Sequence, residues 1–359
     1  MQHRNISETV RNIAVLQTAF IGDIALTIPF ISLIKKYFHP CNILFITTPA
    51  GYELAQAFSD IDEIIVFDKK KKHRTFSAMK NLAYDISQRP LDILFIPHMS
   101  VRSNIFSQCI RYFSPRKIHT VGYTDNAFSW LLTTRVKKKQ NGHEIEKICS
   151  LMTPFTGEHY STTLFNDWHY ALRDEVCVIK DNTLYDYAQN AIVIAPASVW
   201  KTKEWGKEKW IELAHRLLSQ GKKVLVIGSH ADKELCQSIA NITGALSVAG
   251  NTTLAQTLML LHYAEILVCN DSAPAHLAYL AHCKVIMIYG PTVPEFGFYP
   301  PDPQSTVIQN MSLQCRPCHH HGKNECPLGT HICMKSIDVT TVQSGVESSM
   351  NGTINSKLT

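Results

Sequence analysis

Four short segments carry residue types that could do chemistry, and each directly follows an apolar, β-branched run. The first is Thr18-Ala19-Phe20-Ile21-Gly22-Asp23, behind the run Asn12–Gln17. Gly22 allows a tight turn, which puts Asp23 at or near a helix N-terminus. A carboxylate there can serve as a general base. Its ordinary alternative is an N-cap, whose bonds to helix amides would lower the carboxyl pKa and weaken the base. The second is Pro196-Ala197-Ser198, with Lys201, Lys203 and Trp205 close behind. Hydroxyl and amine donors beside a helix that starts near Gly206 suit a diphosphate. Any single lysine there reads equally as a solvated loop residue, and Lys203 is preferred because Trp205 can fix its position. The third is Asn270-Asp271-Ser272-Ala273-Pro274-Ala275-His276. Asp271 and Ser272 are placed to cap a helix, Pro274 falls in its first turn, and an anion could sit on the first amides. His276, one turn in, faces the same ligand or is structural. The fourth is Tyr289-Gly290-Pro291-Thr292, where Gly290 permits close backbone approach and Thr292 offers a hydroxyl.

In order and separation these segments resemble glycosyltransferase family 9, the ADP-heptose:lipopolysaccharide heptosyltransferases. The likeness runs from about Asn12 to Ile337. It is carried by Gly22-Asp23-Ile24-Ala25-Leu26-Thr27-Ile28-Pro29, the Lys203/Trp205 segment, Asn270-Asp271-Ser272 with His276-Leu277-Ala278, and Tyr289-Gly290-Pro291-Thr292. It leans towards the enzymes that add the second heptose. The resemblance implies the GT-B fold and an inverting transfer of heptose from ADP-heptose to the inner core of lipopolysaccharide, an anionic lipid. It implies Asp23 as general base, Ser198 and Lys203 on the donor phosphates, and Asp271, Ser272, His276 and Thr292 in the donor-binding loops. Asp232 or Glu234 is matched loosely to a ribose contact. No cofactor is required for catalysis on this reading. Ala273-Pro274 departs from the glycine the family carries after the Asp-Ser pair, which bears on donor geometry. The alternatives are another GT-B enzyme using a different nucleotide sugar, and a catalytically silent nucleotide-sugar-binding protein. Loss of activity in Asp23→Asn would separate the last of these from an enzyme.

A fifth constellation, Cys315-x2-Cys318-x7-Cys326-x6-Cys333, encloses His319, His320, His321 and His331. Four thiolates so spaced could hold a structural zinc, although the spacing is not a standard ribbon. Free thiols or one disulfide are the alternatives. The other cysteines are scattered through apolar or helical stretches, unlike a secreted disulfide framework.

The elements that must position these residues read as two successive α/β patterns. Strands are expected at Asn12–Gln17, Asn42–Thr47, Glu63–Phe67, Asp92–Pro97 and Lys117–Gly122, then at Ala191–Ala195, Lys223–Gly228, Ala245–Val248, Ile266–Cys269 and Lys284–Tyr289. Helices are expected at Asp23–Phe38, Phe76–Gln88, Lys207–Gln220, Asp232–Thr243, Thr253–Ala264 and Ala273–His282. Alternation of this kind argues for parallel sheets, hence two Rossmann-like doubly wound domains with a cleft between them. The expected division is residues 1–180, a basic acceptor domain; residues 181–342, a nucleotide-sugar domain with the Cys-rich segment; and a loose tail at 343–359.

The chain has 359 residues, with 45% apolar and 18% charged, a globular composition. The first 180 residues carry 22 Lys and Arg against 16 Asp and Glu, and the remainder 13 against 14. This excess is too small to single out nucleic acid and fits an anionic partner on the first half. Lys69–Lys72 with Arg74, and Arg135 with Lys137–Lys139, are candidates for that surface, each with a solvated loop as the ordinary reading. The apolar stretch Ile13–Ile34 is broken by Gly22, Asp23 and Pro29 and reads as neither a membrane span nor a signal peptide. The expected location is cytoplasmic, with peripheral contact on the inner face of the inner membrane.

Overall fold

The computed structural model describes residues 10–166, 168–179 and 181–351. They group into two compact units, one up to Asp174 and one from Glu175. The first holds a parallel sheet of β1 (Asn12–Leu16), β2 (Asn42–Thr47), β3 (Glu63–Val66), β4 (Ile93–Ile96), β5 (His119–Tyr123) and β6 (Thr134–Val136), in the order β3-β2-β1-β4-β5-β6. The second repeats it with β7 (Ile192–Ala195), β8 (Val224–Val226), β9 (Leu246–Ser247), β10 (Ile266–Asn270), β11 (Lys284–Tyr289) and β12 (Thr306–Gln309), in the order β12-β11-β10-β7-β8-β9. These are the same doubly wound order, with the switch in strand direction of travel between β1 and β4 and between β7 and β10. The central strands are unbroken apolar runs because a parallel sheet is covered on both faces. β4 (ILFI) and β7 (IVIA) are buried at every position. No helix among the described residues is long and apolar enough to cross a membrane.

Local chemistry sets the helix bounds. Thr75 accepts the amide of Ala78 at 3.2 Å to start Phe76–Ser87. A reciprocal capping box between Thr253 and Gln256 starts Leu254–Tyr263. The expected helix Asp23–Phe38 is two helices, Ile21–Ala25 and Ile28–Tyr37. Pro29 is the cause, since it lacks an N–H and its ring crowds the carbonyl of Ala25.

The tail expected to be loose from Gln343 is helical through Met350. Asp338 caps the helix Val339–Met350 by accepting the Thr341 amide at 2.7 Å. Val342 and Val346 are fully buried in the second unit's core with Leu213, Leu217, Ile286 and Ile308. Residues 352–359 of the expected tail lie outside the described residues. Val342→Ala removes two buried methyl groups, at about 2 kcal/mol with the cavity included. The melting transition of the second unit should therefore fall by about 4–8 °C. An unchanged transition in calorimetry would show that this helix does not belong to the core.

Candidate functional site

In the first unit the loop after β1 is held by one buried side chain. Gln17 accepts the Ala19 amide at 3.2 Å and donates to the Thr27 hydroxyl at 3.1 Å. Thr27 in turn donates to the Asp23 carbonyl at 2.8 Å. Asp23 is the third residue of the helix Ile21–Ala25, whose N-cap is Phe20, so it is not an N-cap residue. Gly22 is helical as well and supplies no left-handed turn. Burial raises the Asp23 carboxyl to about 6, and the Glu144 carboxylate adds to the rise. Lys138 and the amides of Phe20 and Asp23 pull the other way and are outweighed. Glu144 is itself paired with Lys138 at 2.6 Å and Lys147 at 3.5 Å. His143 caps the short helix that carries it, accepting the Ile145 amide at 3.2 Å.

Beside this acid lies a basic, hydroxyl-rich cluster at the ends of β1 and β4. Thr18 bonds His98 at 3.0 Å and Ser103 at 2.7 Å, and Lys69 donates to Thr18 at 2.9 Å. Burial lowers the Lys69 ammonium to about 8 and the His98 imidazole to about 4, so His98 is neutral at neutral pH. Arg102 donates to the carbonyls of Lys69, His73 and Arg74 and so pins the whole lysine loop. Lys69 and Lys138 therefore turn inward from the two basic runs. Lys70, Lys71, Lys72, Arg74, Arg135, Lys137 and Lys139 stay exposed.

In the second unit the three loops after β7, β10 and β11, neighbouring strands, meet on one ion pair. Lys203 lies 2.5 Å from Asp271 Oδ2, and the Thr292 hydroxyl donates to the same oxygen at 2.6 Å. All three are buried, at 8%, 7% and 1% exposure. Asn270 ties β10 to the β7 loop by donating to the Pro196 carbonyl at 2.9 Å and accepting the Trp205 amide at 3.2 Å. Asp271 is thus spent on Lys203 and Thr292 rather than on capping. Ser272 occupies the N-cap position of Ala273–Leu280 without a side-chain cap bond. His276 is buried on that helix with its ring 6.2 Å from Phe298. Ser198 accepts the Trp200 amide at 3.3 Å and shapes its loop without joining the ion pair. Trp205 does not position Lys203: it is a core residue, packed edge-on against Trp210 and donating to the Ile337 carbonyl at 2.9 Å. The cation over its ring is Lys209. Asp232, one of the two loose ribose candidates, closes a capping box with Ser229 through Oδ2. Glu234 lies in the first turn of the next helix.

Cys315, Cys318, Cys326 and Cys333 are free thiols on one segment; burial raises the Cys318 and Cys333 thiols, and neighbouring thiols add to the rise. They are not set as a metal-holding group: among the described residues no three His, Cys, Asp or Glu side chains are so arranged. Their nearest partners are local. Cys318 Sγ donates to the Cys315 carbonyl at 3.1 Å, and Cys326 Sγ accepts the His331 amide at 3.4 Å. Nothing in this arrangement supports the zinc expectation drawn from the spacing. Glu144, Asn270 as a strut, the Thr18–His98–Ser103 cluster and Arg316 were not singled out as site residues by sequence. Thr18, Asn270 and Arg316 lay inside segments singled out for chemistry, whereas Glu144, His98 and Ser103 did not.

The family pattern for glycosyltransferase family 9 (heptosyltransferase) matches residues 82–328, which includes the second-unit ion pair and excludes Asp23. The chain is similar to lipooligosaccharide heptosyltransferase 2 of Campylobacter jejuni serotype O:6, at 28% identity over 148 residues. That alignment takes in 39% of this chain, which spans a little under half, 45%, of that relative. Among solved structures, the family 9 glycosyl transferase of Veillonella parvula superposes with a TM-score of 0.78 at 19% identity, over 96% of this chain and 98% of the other. The ADP-heptose lps heptosyltransferase II of E. coli superposes with a TM-score of 0.72 at 18% identity, over 95% and 99%. These likenesses show the GT-B fold, two Rossmann-like sheets each with its own helices. With well over half of the chain inside the family pattern, the protein belongs to glycosyltransferase family 9.

Proposed function

We propose that the protein is an inverting glycosyltransferase that moves heptose from ADP-heptose to the inner core of lipopolysaccharide. The observation that carries this reading is Asp23, a partly buried carboxyl raised to about 6 at the carboxyl edge of β1. A carboxylate of that pKa is ionised at neutral pH and a stronger base than an exposed one. In the reaction the acceptor oxygen attacks the anomeric carbon while the bond to the ADP oxygen breaks, and the configuration inverts. The hydroxyl proton goes to Asp23, and the bonding pair leaves with ADP.

The leaving diphosphate gathers negative charge, and Lys203 is the group to receive it. Its ammonium has three donors and Asp271 takes one direction, so donors remain for phosphate oxygens. The Thr292 proton is committed to Asp271, so Thr292 acts by fixing that carboxylate. The N-terminus of Ala273–Leu280, with Ser272 and His276, and the Ser198 loop complete the donor side. On the acceptor side, Lys69 with the Thr18 and Ser103 hydroxyls suits an oxyanion, and the exposed lysines and arginines of the first unit suit an anionic lipid surface. That surface would give a cytoplasmic protein peripheral contact with the inner membrane.

Transfer from ADP-heptose to heptose-free core lipid should proceed with wild type and fall at least about a hundredfold in Asp23→Asn. Undiminished transfer in that variant would remove Asp23 from the mechanism. The rate should rise with pH along a limb centred near 6. Glu144→Gln removes a charge that raises Asp23, so the limb should move to lower pH; a stationary limb would contradict this coupling. The sign for stability is opposite to that for activity. Because the folded-state pKa is raised, the favourable contribution of Asp23 is complete below its ordinary value of 3.8 and lost as pH rises through about 6. At pH 7–8 Asp23→Asn should therefore melt at or above wild type, and a lower melting point would mean that the carboxylate stabilises the fold.

A further inference from the structure

The Cys-rich segment takes no part in the chemistry above, yet it lies on both loops that carry the donor ion pair. Arg316 sits between Cys315 and Cys318 and is spent on the ends of β11 and β12. Its Nε donates to the Gly290 carbonyl, Nη2 to the Thr292 carbonyl at 2.7 Å and to Gln309 Oε1 at 2.9 Å, and Nη1 to the Asn310 carbonyl at 2.7 Å. The Cys318 amide donates to the Pro291 carbonyl at 2.8 Å. Gly290, expected to permit close backbone approach, is approached by this segment, since a Cβ there would overlap Met334 and lie 3.5 Å from Cys333 Sγ.

The same segment reaches Lys203. Gly322, at φ +90°, packs where a Cβ would meet Trp200 at 2.9 Å and the Lys203 stem at 3.3 Å. Thr202 exchanges bonds with Lys323, amide to carbonyl at 3.0 Å and hydroxyl from amide at 2.9 Å. His331 Nε2 lies 2.7 Å from the Thr202 carbonyl. Among the described residues no ion pair holds Arg316, and its hydrogen bonds go to backbone and amide oxygens. A planar fork with five fixed donors holds several carbonyls in one rigid geometry, which a single rotatable ammonium does not impose.

We propose that Arg316 is a positioning residue for donor binding. It holds Gly290–Thr292 so that the Thr292 hydroxyl meets Asp271, which in turn aims the Lys203 ammonium at the donor diphosphate. This rests on the reading that Lys203, Asp271 and Thr292 form the donor-phosphate site. The test compares full-length wild type, Arg316→Ala and Arg316→Lys, each checked for folding by its melting transition. The readouts are ADP affinity by calorimetry, and kcat and KM for each substrate. In the variants, ADP affinity should weaken and donor KM rise by about tenfold to a hundredfold, the scale of a small misplacement. Acceptor KM and the pH limb should stay as in wild type, and guanidinium ions should partly rescue Arg316→Ala. Where Arg316→Ala does not fold, Arg316→Lys, which keeps the stem and charge without the fork, carries the comparison. Wild-type values for ADP and donor KM in a folded variant overturn the proposal, as does an equal loss in both substrates without rescue. If wild type itself does not bind ADP, the donor-site reading falls, and Arg316 with it; ADP binding by wild type and variants alike condemns Arg316 only.

Discussion

The second unit is organised around the buried ion pair between Lys203 and Asp271. Taking an ammonium and a carboxylate out of water costs several kcal/mol each, and their attraction does little more than offset it. Such a pair is poor stabilisation, whereas leaving either partner alone costs about 3–5 kcal/mol. The surrounding structure therefore has to keep the two ends together. Thr292 gives Asp271 Oδ2 a second donor, Asn270 locks the β7 loop to β10, and Arg316 with Thr202 fastens the outer loops to the Cys-rich segment. All of this converges at the point where the strand order reverses, between β7 and β10, which is where such sheets bind ligands.

The first unit has the same strand order and uses the equivalent place differently. Asp23, too, follows a central strand at the carboxyl edge. Among the described residues no cation lies within ion-pair reach of it, and Lys138, whose charge acts on it, is paired with Glu144. One fold thus carries two carboxylates in opposed settings, one neutralised by a fixed ammonium and one left to burial and a like charge. Environments that differ in this way suit two acids to separate roles, and on the proposed reading Asp23 is the base while Asp271 holds Lys203.

How far the sequence reveals this depends on the range of the interaction. Central strands such as Asn42–Thr47 and Lys284–Tyr289 are continuous apolar runs and are legible directly. The edge strands Thr134–Val136 and Thr306–Gln309 are short and half-exposed, and lack that signal. The helix Val339–Met350 is rich in Thr, Ser and Gly and reads as loose; the burial of Val342 and Val346 overrides that composition. In the site, turn chemistry after strands located Lys203, Asp271 and Thr292, but not that they bond one another. Local proximity misled in the case of Trp205, whose ring turns to the core. Glu144 and Arg316 act through contacts with residues far along the chain and leave no local pattern. The cysteine spacing suggested a metal, while Arg316 and Gly322, inside the same segment, do the contacting seen in the structure.

The most direct test of this account is ADP binding by the paired variant Lys203→Met with Asp271→Leu, alongside wild type. Removing both charges leaves neither buried alone, so the variant should fold with a melting temperature near that of wild type. Its affinity for ADP should fall by at least about thirtyfold, the loss of a desolvated charge contact of about 2 kcal/mol. A folded paired variant that binds ADP as tightly as wild type would contradict the assignment of this ion pair to the donor.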